Sequence, residues 1–198
     1  MVIGELLFYS SLQSPSLADV LRQETASRVP KAVDDVPHED FSTLTDEEIV
    51  KSIHQALLVK PLVLDLSAAT SQALESKMEV RDPWGDSARV AGLKITKAVP
   101  YQGDRALWKL RPNEFDLNPP RGEVDHRAVR VGMTVREEEA QRAVDYIQET
   151  FDKIQTYIGR QAGLISEYNE QLPTQIAPYV EARRKRLSRA SDILDQLR

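Results

Sequence analysis

Three side chains near the middle of the chain have the chemistry of a metal-dependent nuclease. Asp65 and Glu75 could share a Mg²⁺ ion while the ammonium of Lys77 steadies an attacking water. The spacing is loose, and with 31 acidic residues in the sequence such a grouping arises often by chance. A core strand edge followed by a solvated loop is therefore the leading reading of these positions, and catalysis the alternative. Other chemistries have less to draw on. Cysteine is absent, which removes disulfides, thiolate zinc sites and cysteine nucleophiles. The eight glycines are scattered singly, so no phosphate-cradling loop is present, and no serine sits in a nucleophile-elbow sequence. His38, His54 and His126 lie far apart, and none pairs with another one helical turn away. His54 reads as a helix-surface or satisfied core residue. The run Asp34, Asp35, His38, Glu39 and Asp40 lacks the ligand alternation and central glycine of a calcium loop. Neither a resident metal nor a cofactor is expected.

The strongest charge feature is a basic block, Arg183, Arg184, Lys185 and Arg186 with Arg189, in a chain whose net charge is −5. That overall charge opposes broad, salt-driven binding to nucleic acid. The block has three readings: an intramolecular or solvated role, first of all against Glu137, Glu138 and Glu139; a protein partner; and, below both, nucleic-acid phosphates.

These residues must be held by elements, and the sequence predicts an α+β protein. Ser14-Pro15 reads as a helix start and Pro30 as its end. Val33–Asp40, acidic and proline-interrupted, reads as a linker. Thr45 and Glu48 form a capping-box pattern ahead of Val50, Ile53, Leu57 and Leu58 at helical spacing, and Leu62–Leu66 reads as a buried strand. From Lys77 to Val135 the apolar period is two. Met78 and Val80, then Leu93, Ile95 and Val99, then Trp108 and Leu110, then Val129, Val131, Met133 and Val135 alternate with polar or small residues. The separators 82–86, 102–104 and 118–122 carry turn residues, and such short connections favour an antiparallel sheet.

From Glu137 the period becomes helical. Ile147, Phe151, Ile154, Ile158 and Ile165 belong to a narrow seam of coiled-coil type, and Pro173 is expected to break this helix and start a second. The predicted architecture is an antiparallel sheet packed with N-terminal helices and a long C-terminal antiparallel helical hairpin. Its parts are an N-terminal helical region 1–61, a β region 62–136 of the same domain, and the hairpin 137–198. The seam has two readings, internal packing or self-association into a homo-oligomer. No segment approaches the roughly 20 apolar residues of a membrane span, and the N-terminus lacks the features of a signal peptide. A cytoplasmic protein with no membrane partner is expected.

Gly92–Ala98, Tyr101–Asp104, Leu107–Pro112, Phe115–Gly122 and Val180–Leu187 resemble an uncharacterised bacterial N-terminal module found ahead of nuclease-like or Toll/interleukin-receptor-like effector domains. The resemblance spans roughly Leu62 to Leu187. It implies a sensing or scaffolding part of a larger effector in bacterial antiviral defence, with the effector half supplied by a longer protein or by a partner chain. The expected function is a non-enzymatic interaction or sensor module that self-associates or positions an effector, binding a protein partner or itself. A metal-dependent nuclease or a nucleic-acid-binding protein is the alternative.

Overall fold

The computed structural model describes residues 1–9, 15–81, 87–114 and 116–195. The chain divides into two units: Met1–Leu17 with Pro61–Ala162, and Ala18–Lys60 with Gly163–Arg198.

The first unit is built on a six-stranded antiparallel sheet. Its strands are β1 (Glu5–Leu6), β2 (Val63–Leu64), β3 (Thr70–Arg81), β4 (Ser87–Gln102), β5 (Arg121–Val124) and β6 (Ala128–Val135), in the order β1-β5-β6-β4-β2, with β3 also paired to β4. The alternation read in the sequence is what folds β6 against β4. Val129, Val131, Met133 and Val135 stand opposite Val99, Lys97, Ile95 and Leu93 on one face, and all four β6 side chains are buried. The start of the long helix α4 (Ala140–Asp195) covers this face: Ala143 packs on Met133 and Val135, and the Lys97 ammonium lies 5.4 Å from the Phe151 ring centroid. Phe8 takes a left-handed φ of 54°, a strained conformation for a residue with a Cβ. Its fully buried ring, 5.2 Å from both Trp108 and Tyr157, offsets that cost. Gly103 is obligatory at its turn, because with φ +108° a Cβ there would lie 2.2 Å from the Pro61 carbonyl oxygen.

The second unit is helical. Helices α1 (Leu17–Asp34, all but its first residue), α2 (Asp40–Thr43) and α3 (Asp46–Leu57) share one apolar core with the later part of α4. Val29, Phe41, Ile49 and Ile53 meet Leu172 and Ile176 there, each aliphatic side chain contributing about 1.5–3 kcal/mol of burial. The capping box forms as read: the Thr45 hydroxyl accepts from the Glu48 amide, and the Glu48 carboxylate accepts from the Thr45 amide at 2.9 Å.

Several expectations are corrected. Leu107 and Trp108 sit in a 3₁₀ helix, Arg105–Lys109, and not in a strand. Leu62 is buried, but Val63 and Leu66 are 59% and 47% exposed, so Leu62–Leu66 is not a buried strand. Helix α1 runs through Pro30 to Asp34, and α2 occupies part of the expected linker. The Ser14 cap and the 82–86 turn lie outside the described residues.

The helical hairpin is the main correction, since one helix continues through Pro173 and Pro178. A proline inside a helix costs the bond its own N–H would give to the carbonyl four residues earlier. For Pro173 that carbonyl belongs to Asn169, and it lies 2.9 Å from Nε2 of His54. A carbonyl only accepts, so Nε2 carries the proton and donates. The Asn169 side chain completes the joint, accepting from the Val59 amide at 3.1 Å and donating to the Val59 carbonyl at 3.0 Å. Helix α3 and the residues after it thus supply what the proline removed. Among the described residues no helix is long and apolar enough to cross a membrane.

Replacing His54 by alanine is expected to lower stability by about 1–2 kcal/mol, the cost of stranding a half-buried acceptor. Pro173→Ala restores an amide to the Asn169 carbonyl, so in that background His54→Ala costs markedly less. Urea denaturation of the four proteins measures the coupling, and additive losses would refute the assignment.

Candidate functional site

The structure places the nuclease-like residues apart in role. The Asp65 carboxylate caps the 3₁₀ helix Leu66–Ala68, its Oδ1 accepting from the Ser67 hydroxyl at 2.6 Å and from the Ser67 and Ala68 amides at 3.1 and 3.2 Å. These donors, the Ser67 hydroxyl first, hold its pKa below the ordinary 3.8. Glu75 and Lys77 stand two residues apart on one face of β3, both exposed. Among the described residues, no three or more histidine, aspartate or glutamate side chains gather as they would to hold a metal ion. Local capping accounts for the position of the Asp65 carboxylate.

The basic block is largely spent inside the second unit. Arg183 Nη1 donates to the carbonyl of Val33, near the end of α1. Arg184 spans two helices: Nη1 donates to the Phe41 carbonyl in α2, Nη2 to the Leu44 carbonyl at 2.8 Å, and Nε pairs with the Asp46 carboxylate at 2.5 Å. Both guanidinium groups lie over the Phe41 ring, 4.8 and 5.4 Å from its centroid. Arg186 faces Asp34 at 3.4 Å, and Lys185 pairs with Glu181 on its own helix. Arg189 is exposed. The partners of Arg183, Arg184 and Arg186 shown within the second unit are the ends of α1–α3. Helix C-termini leave carbonyls unpaired, and a guanidinium fork suits them better than an ammonium does.

The seam expected to mediate self-association is interior. Ile147, Phe151, Ile154 and Ile165 are buried and Ile158 is half-buried. Val144, which continues the same apolar period one turn before Ile147, is 49% exposed. In the second unit α1 and α4 flank a groove of about 600 Å³ lined by Leu21, Thr25, Tyr168, Gln171 and Gln175. Its charged lining residues are Arg22 and Glu167.

What sequence reasoning missed is the free edge of β3. Among the described residues β3 pairs with β4 alone, in twelve consecutive register pairs from Thr70↔Ala98 to Arg81↔Ser87. Among the described residues its other edge carries no strand, and its faces are largely open: Ser71–Glu75, Lys77 and Glu79 are exposed, Ser76 and Met78 half-buried. Leu74 is 56% exposed. The opposite margin of the sheet ends in β1, only two residues long. A signal was present in the sequence, since Glu75, Lys77, Glu79 and Arg81 alternate in charge at every second position. These four share one face of the strand, so the pattern marks that face as wet and says nothing of the face that carries Leu74, Ser76 and Met78.

Arg184→Ala is expected to destabilise the chain by about 2–3 kcal/mol, because it leaves two carbonyls and a carboxylate without their shared donor. Arg189→Ala should shift stability by less than about 0.5 kcal/mol. Equal effects of the two in urea titrations would overturn the structural role of Arg184. Three carboxylates give the acid response. Glu48, held by the Thr45 amide and hydroxyl, Asp65, and Asp125, held by the Arg127 and Ala128 amides, all titrate below their ordinary values of 4.5, 3.8 and 3.8. A depressed folded-state pKa gives stability that is present above the unfolded value and is lost as pH falls through the folded one. The urea midpoint should therefore drop as pH falls below about 4.5, and less so in the triple variant Glu48→Gln, Asp65→Asn, Asp125→Asn.

No protein-family model matches this chain, and neither a curated protein nor a solved structure matches it.

Proposed function

We propose that the chain is a non-enzymatic interaction module that takes up a partner by strand addition along the outer edge of β3. One observation carries this reading: among the described residues a twelve-residue strand is paired on one side only, and from Thr70 to Glu79 it is exposed on most of both faces. Unpaired strand edges template further pairing, and native proteins ordinarily shorten, bulge or cover them. In strand addition the main-chain hydrogen bonds give affinity, and alternate side chains give specificity. The rest of the first unit acts as a rigid mount, with β4 clamped between β3 and β6. The resemblance to modules that precede effector domains fits this role, since a docking edge would position the effector.

The test is photo-crosslinking in the native cells. A benzoylphenylalanine placed at the exposed Ala73 of β3 should give a discrete light-dependent product, and the same residue at the exposed Gln155 of α4 should not. No product from position 73 would sink the docking reading.

A further inference from the structure

We infer that the occupant of the β3 edge is a second copy of β3, paired antiparallel about a two-fold axis at Ser76. This deepens the docking reading above and rests on it. A two-fold perpendicular to the sheet must bring a residue opposite its own copy, because side chains alternate between faces and opposed residues share a face. The allowed registers therefore differ by steps of one residue in the central position. Centring on Ser76 places Glu75 opposite Lys77 of the other copy, twice, on one face, and Leu74 opposite Met78, twice, on the other. Moving the axis to Glu75 sets two carboxylates against each other, and moving it to Lys77 sets two ammonium groups against each other. Like charges directly opposed destabilise a sheet, and opposite charges stabilise it. An axis at Met78 also matches charges but retains only Glu75–Arg81 in the pairing.

The same charges have no counterpart within the hairpin. Across β4, Glu75 stands opposite Leu93 and Lys77 opposite Ala91, whereas Glu79 stands opposite Arg89. Among the described residues neither Glu75 nor Lys77 makes an ion pair. Leu74, an apolar side chain 56% exposed on the other face, gains a cover in the paired state. Of the registers that set both Glu75 and Lys77 against an opposite charge, the one centred on Ser76 keeps the most of β3 in the pairing.

Charge exchange tests this with the full chain. At ~100 μM, in the range of a transient interface, sedimentation should give the wild type as a dimer. Glu75→Lys alone and Lys77→Glu alone should each be folded monomers, since each sets like charges opposite at both positions. Mixed one to one, the two variants should dimerise again, because each then presents the complement of the other. An axis at Met78 predicts no such rescue, because Glu75 would then oppose Arg81. A monomeric wild type, single variants that remain dimeric, or a mixture that stays monomeric would each overturn the proposal. The crosslink at Ala73 keeps the two levels apart. A product of a mass other than two copies overturns the second copy as occupant and leaves strand addition standing, and no product at all removes both.

Discussion

The carbonyl of Asn169 is the group on which the second unit turns. Helix α4 carries Leu172, Ile176 and Val180 into the core shared with α1 and α3, and it can do so only if it passes Pro173 without ending. A helix interrupted there would leave these apolar residues without a common face. Continuity needs an outside donor, and His54 provides it at 2.9 Å. The donor is placed by α3, whose own start is fixed by the Thr45–Glu48 capping box. The proline thus makes the long helix dependent on the helix that packs against it. A defect of local structure becomes a specific tertiary joint, reinforced by the paired hydrogen bonds between Asn169 and Val59.

The arginines of α4 extend the same logic to other chain ends. Short helices leave a large share of their carbonyls without intrahelical partners. The second unit contains a four-residue helix, α2, beside the end of α1 and the start of α3. Arg183 and Arg184 gather these loose groups, and their guanidinium planes cover the buried Phe41 ring. A cluster of positive charge in an acidic chain invites a search for phosphate or an acidic partner. Here the acceptors are the chain's own groups: Arg184 commits three N–H donors, to the Phe41 and Leu44 carbonyls and the Asp46 carboxylate, and Arg183 one, to the Val33 carbonyl.

Much of the architecture was legible because it follows from periods. The alternation of Val129–Val135 and the capping box at Thr45 predict a buried sheet face and a helix start, and both are present. The failures share a cause. Pro173 reads as a helix end because local rules assign the cost of a proline but cannot see a distant donor; the partner of Asn169, His54, is 115 residues away. Trp108 and Leu110 satisfy a period of two over too few positions to distinguish a strand from a 3₁₀ turn. The seam of α4 was legible as an apolar strip, yet whether such a strip faces the chain's own core or a neighbour depends on tertiary packing. At the candidate site the residues were visible and their relation was not. Glu75 and Lys77 stood out as potential catalytic groups, while their placement on an uncovered edge emerges only from the pairing of β3 with β4 alone.

That placement changes what their charges mean. A lysine on an edge strand ordinarily blocks further pairing, because an approaching strand would have to desolvate it. Glu75 and Lys77 do this toward most sequences, since an arbitrary strand offers neither the complementary charge nor an apolar residue for Leu74. Toward a copy of β3 in the Ser76 register the same two side chains cease to be a barrier and become paired at the surface, where little desolvation is required. Neighbouring registers remain blocked by like charges. A single pair of residues can therefore keep a long edge from aggregating indiscriminately while leaving open one route of assembly, which is how specificity differs from simple stickiness.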